Sequence, residues 1–199
     1  TFALNFSCLP PIDSSVPWLL KLAFLAVTVT GGWTDLRTRR IPNWLNLSGF
    51  ILGIGLNTLL LREEGLRLAL LGSGLALLIY VPLYLIRAMG AGDVKFMAAL
   101  GAIIGAQNWL TLFVATAILG GIASLCLIFA RGRFYLTFAN LSTITGELLH
   151  GRLPFRKDPS LDIHDERAVG LPHGTLIAIA GVIWLAFYTP DRNALPGLR

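Results

Sequence analysis

The sequence reads as an all-α fold: a polytopic membrane protein of about six transmembrane helices, with a long cytoplasmic loop that carries a surface amphipathic helix. Three observations point there. Of 199 residues, 55% are hydrophobic and only 14% are charged, and the mean hydropathy is +0.70. A soluble domain carries about 25% charged residues, so this chain has too little polar surface to solvate a globule of its size. Apolar stretches of membrane-crossing length alternate with short polar breaks. The basic residues collect in those breaks rather than along the stretches. A net charge of +5 and a pI of about 9.7 would favour nucleic-acid binding in a soluble protein. Here topology explains the basic residues better, and no nucleic-acid partner is expected.

Taken in order, residues 1–16 hold prolines and serines and read as irregular. The first span runs over 17–34, with Pro17 at a first-turn position where its missing N–H costs nothing. The second covers 42–61. Arg62-Glu63-Glu64-Gly65 is a polar turn, and the third span covers 66–86. The fourth, 94–105, is short against the ~20 residues that a hydrocarbon core requires, so it must tilt, be flanked by interfacial residues, or start below the surface. Gln107-Asn108 turn the chain into a fifth span over 109–130. A polar loop occupies 131–172, the sixth span covers 173–188, and the whole of 1–199 forms one domain. In the loop, Phe134, Phe138, Leu141, Leu148 and Leu149 recur at roughly helical spacing behind Arg131 and Arg133, which suits a helix lying on the bilayer surface.

Charge sets the orientation. The side bearing the loops after spans one, three and five, with Lys95 at the start of the fourth span, carries eleven of the sixteen Lys and Arg residues, which makes that side cytoplasmic. Asp35, at the end of the first span, and Asp93, at the start of the fourth, then face the cytoplasm together. Trp33, Trp44 and Trp109 sit near span ends and read as interfacial anchors. The pairs Gly49/Gly53, Gly72/Gly74, Gly101/Gly105 and Gly120/Gly121 suit close helix packing in lipid. No strand precedes them, so they are not a nucleotide-binding fingerprint.

Other chemistries find little support. Cys8 and Cys126 form no CxxC pair, and Cys126, inside an apolar run, reads as a packing residue. His150, His164 and His173 lack metal-ligand spacing, and His164-Asp165-Glu166 has no partner at helical spacing. No Gly-x-Ser-x-Gly nucleophile turn occurs. Neither a metal nor a cofactor is expected.

The two acids remain. Peptide hydrolysis without a metal or a nucleophilic side chain needs an activated water and a proton for the carbonyl oxygen. Two close carboxylates sharing one proton supply both. Gly90 and Gly92 remove side chains beside Asp93, so an extended substrate backbone can approach it. Asp93 opens a helix, and the helix dipole inclines the base role to it, although such a pair titrates as a unit.

The segments Asp35…Arg39-Arg40-Ile41-Pro42-Asn43 and Gly90-Ala91-Gly92-Asp93-Val94-Lys95 resemble the type IV prepilin peptidase family, polytopic aspartic proteases of the GxGD type. Leu171-Pro172-His173-Gly174 resembles the Pro-Tyr-Gly segment of the short, Flp-pilus branch, with His in place of Tyr. The resemblance covers most of the chain. It implies a multi-pass protein of the bacterial inner membrane that removes the basic leader of type IV prepilins or pseudopilins at the cytoplasmic face. It also implies Asp35 and Asp93 as the catalytic pair, with Gly90, Gly92, Lys95, Ile41, Pro42 and Asn43 as motif and substrate-approach residues. Longer relatives carry paired CxxC motifs and N-methylate the mature pilin; this sequence lacks those cysteines, so methyltransferase activity is not expected. The substrate's apolar helix would lie against the small-residue faces, and Asp158, Asp162, Asp165 and Glu166 are candidates to receive its basic leader. Two rival readings stand beside this one. A small ion-coupled transporter would use the two Asp as relay groups, ordinarily at mid-membrane. A non-catalytic factor for pilus or secretion assembly would not need them.

Overall fold

The structure, a computed structural model, describes residues 17–132, 142, 145, 146 and 172–187. The helix expected within 131–172, the acids at 158–166, and Cys8, His150 and His164 lie outside those residues. The described fold is all-α: α1 (Trp18–Thr38), α2 (Asn43–Leu85), α3 (Ala91–Arg131) and α4 (His173–Phe187). Among the described residues, α1, α2 and α3 are long and apolar enough to cross a membrane, and α4 is a shorter apolar helix.

Two of these helices are broken where the sequence places polar turns. In α2, Arg62 leaves helical geometry (φ 55°, ψ −133°). Beyond it the chain folds back, and a Cβ on Gly65 would collide with the Asn57 carbonyl. In α3, the break is Gly105 (φ 74°, ψ 169°). Trp109 Nε1 donates to the Met97 carbonyl at 3.0 Å, although twelve residues of straight helix would separate the two by about 18 Å. The halves of α3 therefore lie side by side. The break leaves the carbonyls before it without their intrahelical partners. Asn57 meets that need: its buried amide donates to Ala102 O at 3.0 Å and Ile103 O at 3.1 Å.

Packing is close because the meeting faces carry little. Gly53 lies so near that a Cβ would sit 2.7 Å from the Ala102 carbonyl carbon, and Gly72 and Gly101 abut backbone to backbone. Gly49 faces the side chains of Val27 and Ala99. The faces at Gly49, Gly53, Gly72 and Gly101 are filled by neighbouring helices, so at these positions the expectation that substrate lies against the small residues is corrected. Helices in lipid associate through such packing, since burial away from lipid tails gives no hydrophobic gain. Gly74 and Gly121 have nothing within 4 Å.

Two further expectations change. Trp109 is not an interfacial anchor. It is fully buried, stacked on Phe113 (centroids 5.5 Å apart) and edge-on to Tyr80 (6.0 Å), because the fold-back at Gly105 turns it inward. Cys126 is exposed rather than packed. Trp33 and Trp44 are exposed, as an anchor requires, and Arg37 lies over the Trp33 ring at 4.5 Å.

Candidate active site

The last turn of α1 and the first turns of α2, α3 and α4 meet at one end of the molecule. Asp35 lies inside α1, one turn before its C-terminus, and is buried at 6% exposure. The α1 segment reaches this position because Gly31 and Gly32 carry no side chain. Gly31 faces the Phe96 ring of α3, and Gly32 faces Ala178 of α4, where a Cβ on either glycine would collide. The helix then closes with Arg39 in a left-handed conformation, its N–H bonded to Asp35 O at 2.8 Å.

The carboxylate of Asp35 is held by α4. Pro172 precedes that helix, and its carbonyl accepts the Leu176 N–H at 3.2 Å. A proline there has no side-chain acceptor for the free N–H groups of the first turn. Asp35 supplies one from another helix: Thr175 N donates to Asp35 Oδ2 at 2.9 Å, and Thr175 Oγ1 lies 3.3 Å from the same oxygen. Such contact needs Gly174, whose Cβ would come within 3.0 Å of Asp35 Cβ and 2.8 Å of Ile41 Cδ1.

Asp93 stands in the first turn of α3, half-buried, with Gly90 as the N-cap residue. Its Oδ2 would lie 3.5 Å from a Cβ on Gly90, so the carboxylate lies beside that glycine. Asp93 lies within the electrostatic field of Asp35, His173 also senses Asp35, and Tyr80 of α2 senses Asp93.

The remaining motif residues tie the two acids' segments together. Ile41 is buried between Gly174 on one side and Gly92 on the other, 3.8 Å from where a Gly92 Cβ would stand. Pro42 caps α2, its carbonyl accepting from Leu45 N at 3.1 Å. Lys95 Nζ donates to Asn43 Oδ1 at 3.1 Å, and Asn46 Nδ2 donates to the Gly92 carbonyl at 3.3 Å. All eight residues singled out from the sequence therefore come to one end of the bundle.

Three participants were not singled out as members of this site: Thr175, Asn46 and Tyr80. A cap-less Pro172 ahead of an apolar helix was the available signal for Thr175. Asn46 and Tyr80 carried none beyond being polar within apolar stretches. His173 stands at the start of α4 with its Nε2 buried and without a hydrogen-bond partner among the described residues. Beside the site lies a cavity of about 340 Å³ with Asn43, Asn46 and Lys95 near the helix starts and Leu47, Phe50 and Leu77 further in. Among the described residues no group of three or more His, Cys, Asp or Glu is placed to hold a metal ion.

Comparison with protein families gives a match to the type IV leader peptidase family, Peptidase A24, over residues 22–125. The matched segment spans both acids and more than half of the chain. The chain belongs to the type IV leader peptidase family. It is accordingly an enzyme, a prepilin leader peptidase with apolar helices suited to a membrane, and its family implies prepilin substrates. Membership sets aside the transporter and assembly-factor readings. Comparison with curated proteins and with solved structures gave no match.

Proposed function

We propose that this prepilin leader peptidase works through Asp35 and Asp93, cutting the basic leader of Flp-type precursors at the cytoplasmic face of the bacterial inner membrane. The carrying observation is that the two acids come from separate motifs yet stand at the same end of the bundle, with Asp93 within the field of Asp35. Both are shielded from bulk water to a degree that a surface ion-pair residue is not.

The reaction needs no other group. One carboxylate takes a proton from water as the water oxygen attacks the scissile carbonyl carbon. The other carboxyl gives its proton to the carbonyl oxygen. When the tetrahedral diol collapses, the base gives the leaving amine the proton it took from water, the hydroxyl made from the carbonyl oxygen returns its proton to the other carboxylate, and the pair again shares one proton as at the start. Gly90 and Gly92 leave space for the substrate backbone beside Asp93. The 340 Å³ cavity, whose lining residue Lys95 is two positions from Asp93, is the place for the apolar segment that follows the leader. In this reading α2 and α3 each cross the bilayer twice, turning at Arg62 and Gly105. With α1 and α4 they make six spans, and the basic loops lie in the cytoplasm.

The test is cleavage of a purified Flp-type prepilin by the purified, membrane-reconstituted enzyme, followed as a gel shift. Asp35→Asn and Asp93→Asn should each insert normally and lose cleavage by roughly a thousandfold or more, as expected when one member of an acid–base pair is removed. Cleavage by either variant at the wild-type rate would overturn the paired-acid mechanism. Equal cleavage of a prepilin from another pilus class would remove the Flp assignment alone.

A further inference from the structure

The Thr175 hydroxyl has one proton and two acceptors in reach. Oγ1 lies 3.2 Å from the Gly32 carbonyl oxygen and 3.3 Å from Asp35 Oδ2. Both separations exceed the 2.7–2.8 Å usual for a committed O–H···O bond, and they are nearly equal. The hydroxyl is therefore shared between a backbone acceptor of α1 and the carboxylate one turn further along the same helix. The Thr175 backbone N–H, by contrast, makes a short, fixed bond to the same Oδ2 at 2.9 Å.

We propose that Thr175 is a positioning residue that holds Asp35 in one place through both of its protonation states. The proposal rests on the reading of Asp35 as half of the acid pair. When Asp35 is ionised, the Thr175 hydroxyl turns its proton to Oδ2. When Asp35 gains a proton from water or substrate, that proton lies between Oδ2 and Oγ1, with Asp35 donating, and the hydroxyl proton swings to Gly32 O. No proton leaves the threonine in either case, and each arrangement is satisfied. A purely donating neighbour such as a lysine would oppose the protonated state, and a purely accepting one the ionised state. An acid that passes through both states in each turnover gains most from a partner that can donate and accept. The titratable groups facing this pair are Asp93 of α3 and His173 of α4, with Tyr80 of α2 linked through Asp93.

Thr175→Val keeps the shape and the backbone N–H but removes the hydroxyl. Thr175→Ser keeps the hydroxyl and loses a methyl group. With the reconstituted enzyme and an Flp-type prepilin, the valine variant should lose kcat by roughly tenfold to a hundredfold, the loss expected for a hydrogen bond to a charged group. KM should stay within about twofold and the pH of maximal rate should not move, because both protonation states lose the same partner. The serine variant should retain most of the wild-type rate. Thr175→Ala, also without the hydroxyl, should match valine and guards against a folding defect special to valine. A valine variant as fast as wild type overturns the proposal. So does a serine variant as slow as valine, which would assign the position to packing. An unchanged maximal rate with a displaced pH optimum overturns it too, because that marks a fixed donor to one state. Wild type and Asp35→Asn are assayed in parallel. If Asp35→Asn cleaves normally, the acid-pair reading has failed rather than this one.

Discussion

Gly90 and Gly92 flank the half-buried acid of the site, yet the fold does not demand glycine at either. Gly90 has φ −76° and ψ 146°, ordinary for any residue. A Cβ would find only Asp93 Oδ2 at 3.5 Å from Gly90, and Ile41 at 3.8 Å from Gly92, which are normal contact distances. Gly174 is different, since its Cβ would press on Asp35 and Ile41. The glycines beside Asp93 are thus better explained by what must approach them than by what already packs there. Gly90→Ala and Gly92→Ala should reach the membrane and melt within a few degrees of wild type. Their prepilin cleavage should fall by about tenfold or more, the cost of displacing a reacting backbone slightly from its productive position. Thermal unfolding in detergent and the gel-shift assay separate the two effects. An alanine enzyme that cleaves normally would remove the substrate-approach role from that glycine. At this scale the sequence was informative where residues come in a motif. Asp35, Asp93 and the Ile41-Pro42-Asn43 run could be picked out because their chemistry is carried by residue type and spacing. Asn46 could not, and Thr175 only through the cap-less proline ahead of its helix, because their importance comes from partners 46 and 140 positions away.

Among the helices, the breaks decide the architecture. Arg62 and Gly105 are the points where α2 and α3 leave helical geometry and return along themselves. The turn at 62–65 was readable from its charges, and the turn at 105–108 from Gly, Gln and Asn closing an apolar run. The first span ends later than the hydropathy suggests. α1 continues to Thr38, because a helix can carry polar residues once one face, here that of Asp35, is covered by α4. What no pattern could show is how the break in α3 is sustained, with Asn57 of α2 donating to the freed carbonyls. At Gly105 the backbone lies in a region that is essentially glycine-only (φ 74°, ψ 169°), while the nearest atoms to a Cβ are 3.8 Å away. The penalty of Gly105→Ala is therefore conformational rather than steric, about 1–3 kcal/mol. It should lower the unfolding midpoint of the purified protein clearly. Gly121→Ala, with open space around it, should leave the midpoint unchanged. Equal midpoints for the two variants would mean that residue 105 adopts another conformation in the membrane.

Taken whole, the molecule gathers its chemistry at one end. Asp35 closes α1, Asn43 opens α2, Gly92 and Asp93 open α3, and Thr175 opens α4, linked by the Asn46–Gly92, Lys95–Asn43 and Thr175–Asp35 bonds. Hydropathy and the distribution of Lys and Arg had already put both acids on one side, because alternating spans leave a single parity for residues 35 and 93. The depth of the site and the coverage of Asp35 by α4 depend on helix rotation, which neither signal carries. The same parity makes the membrane arrangement testable. In a chain with Cys8 and Cys126 replaced by Ser, single cysteines at Arg40, Glu63, Ala88 and Gln107 sample the four described turns. If α2 and α3 each cross twice, Arg40→Cys and Ala88→Cys react with an impermeant maleimide only in inverted vesicles. Glu63→Cys and Gln107→Cys then react only from the opposite face. Glu63→Cys reacting from the same face as Arg40→Cys would mean that the first half of α2 dips into the bilayer without crossing it. Residues 35 and 93 could then still meet, but the site would have to lie within a re-entrant structure rather than at the end of a bundle of six spans. The positive charges around it would no longer report which side is the cytoplasm. Labelling of all four positions from their expected faces would put the acid pair, its threonine partner and the adjoining cavity at the surface where a basic leader first meets the membrane.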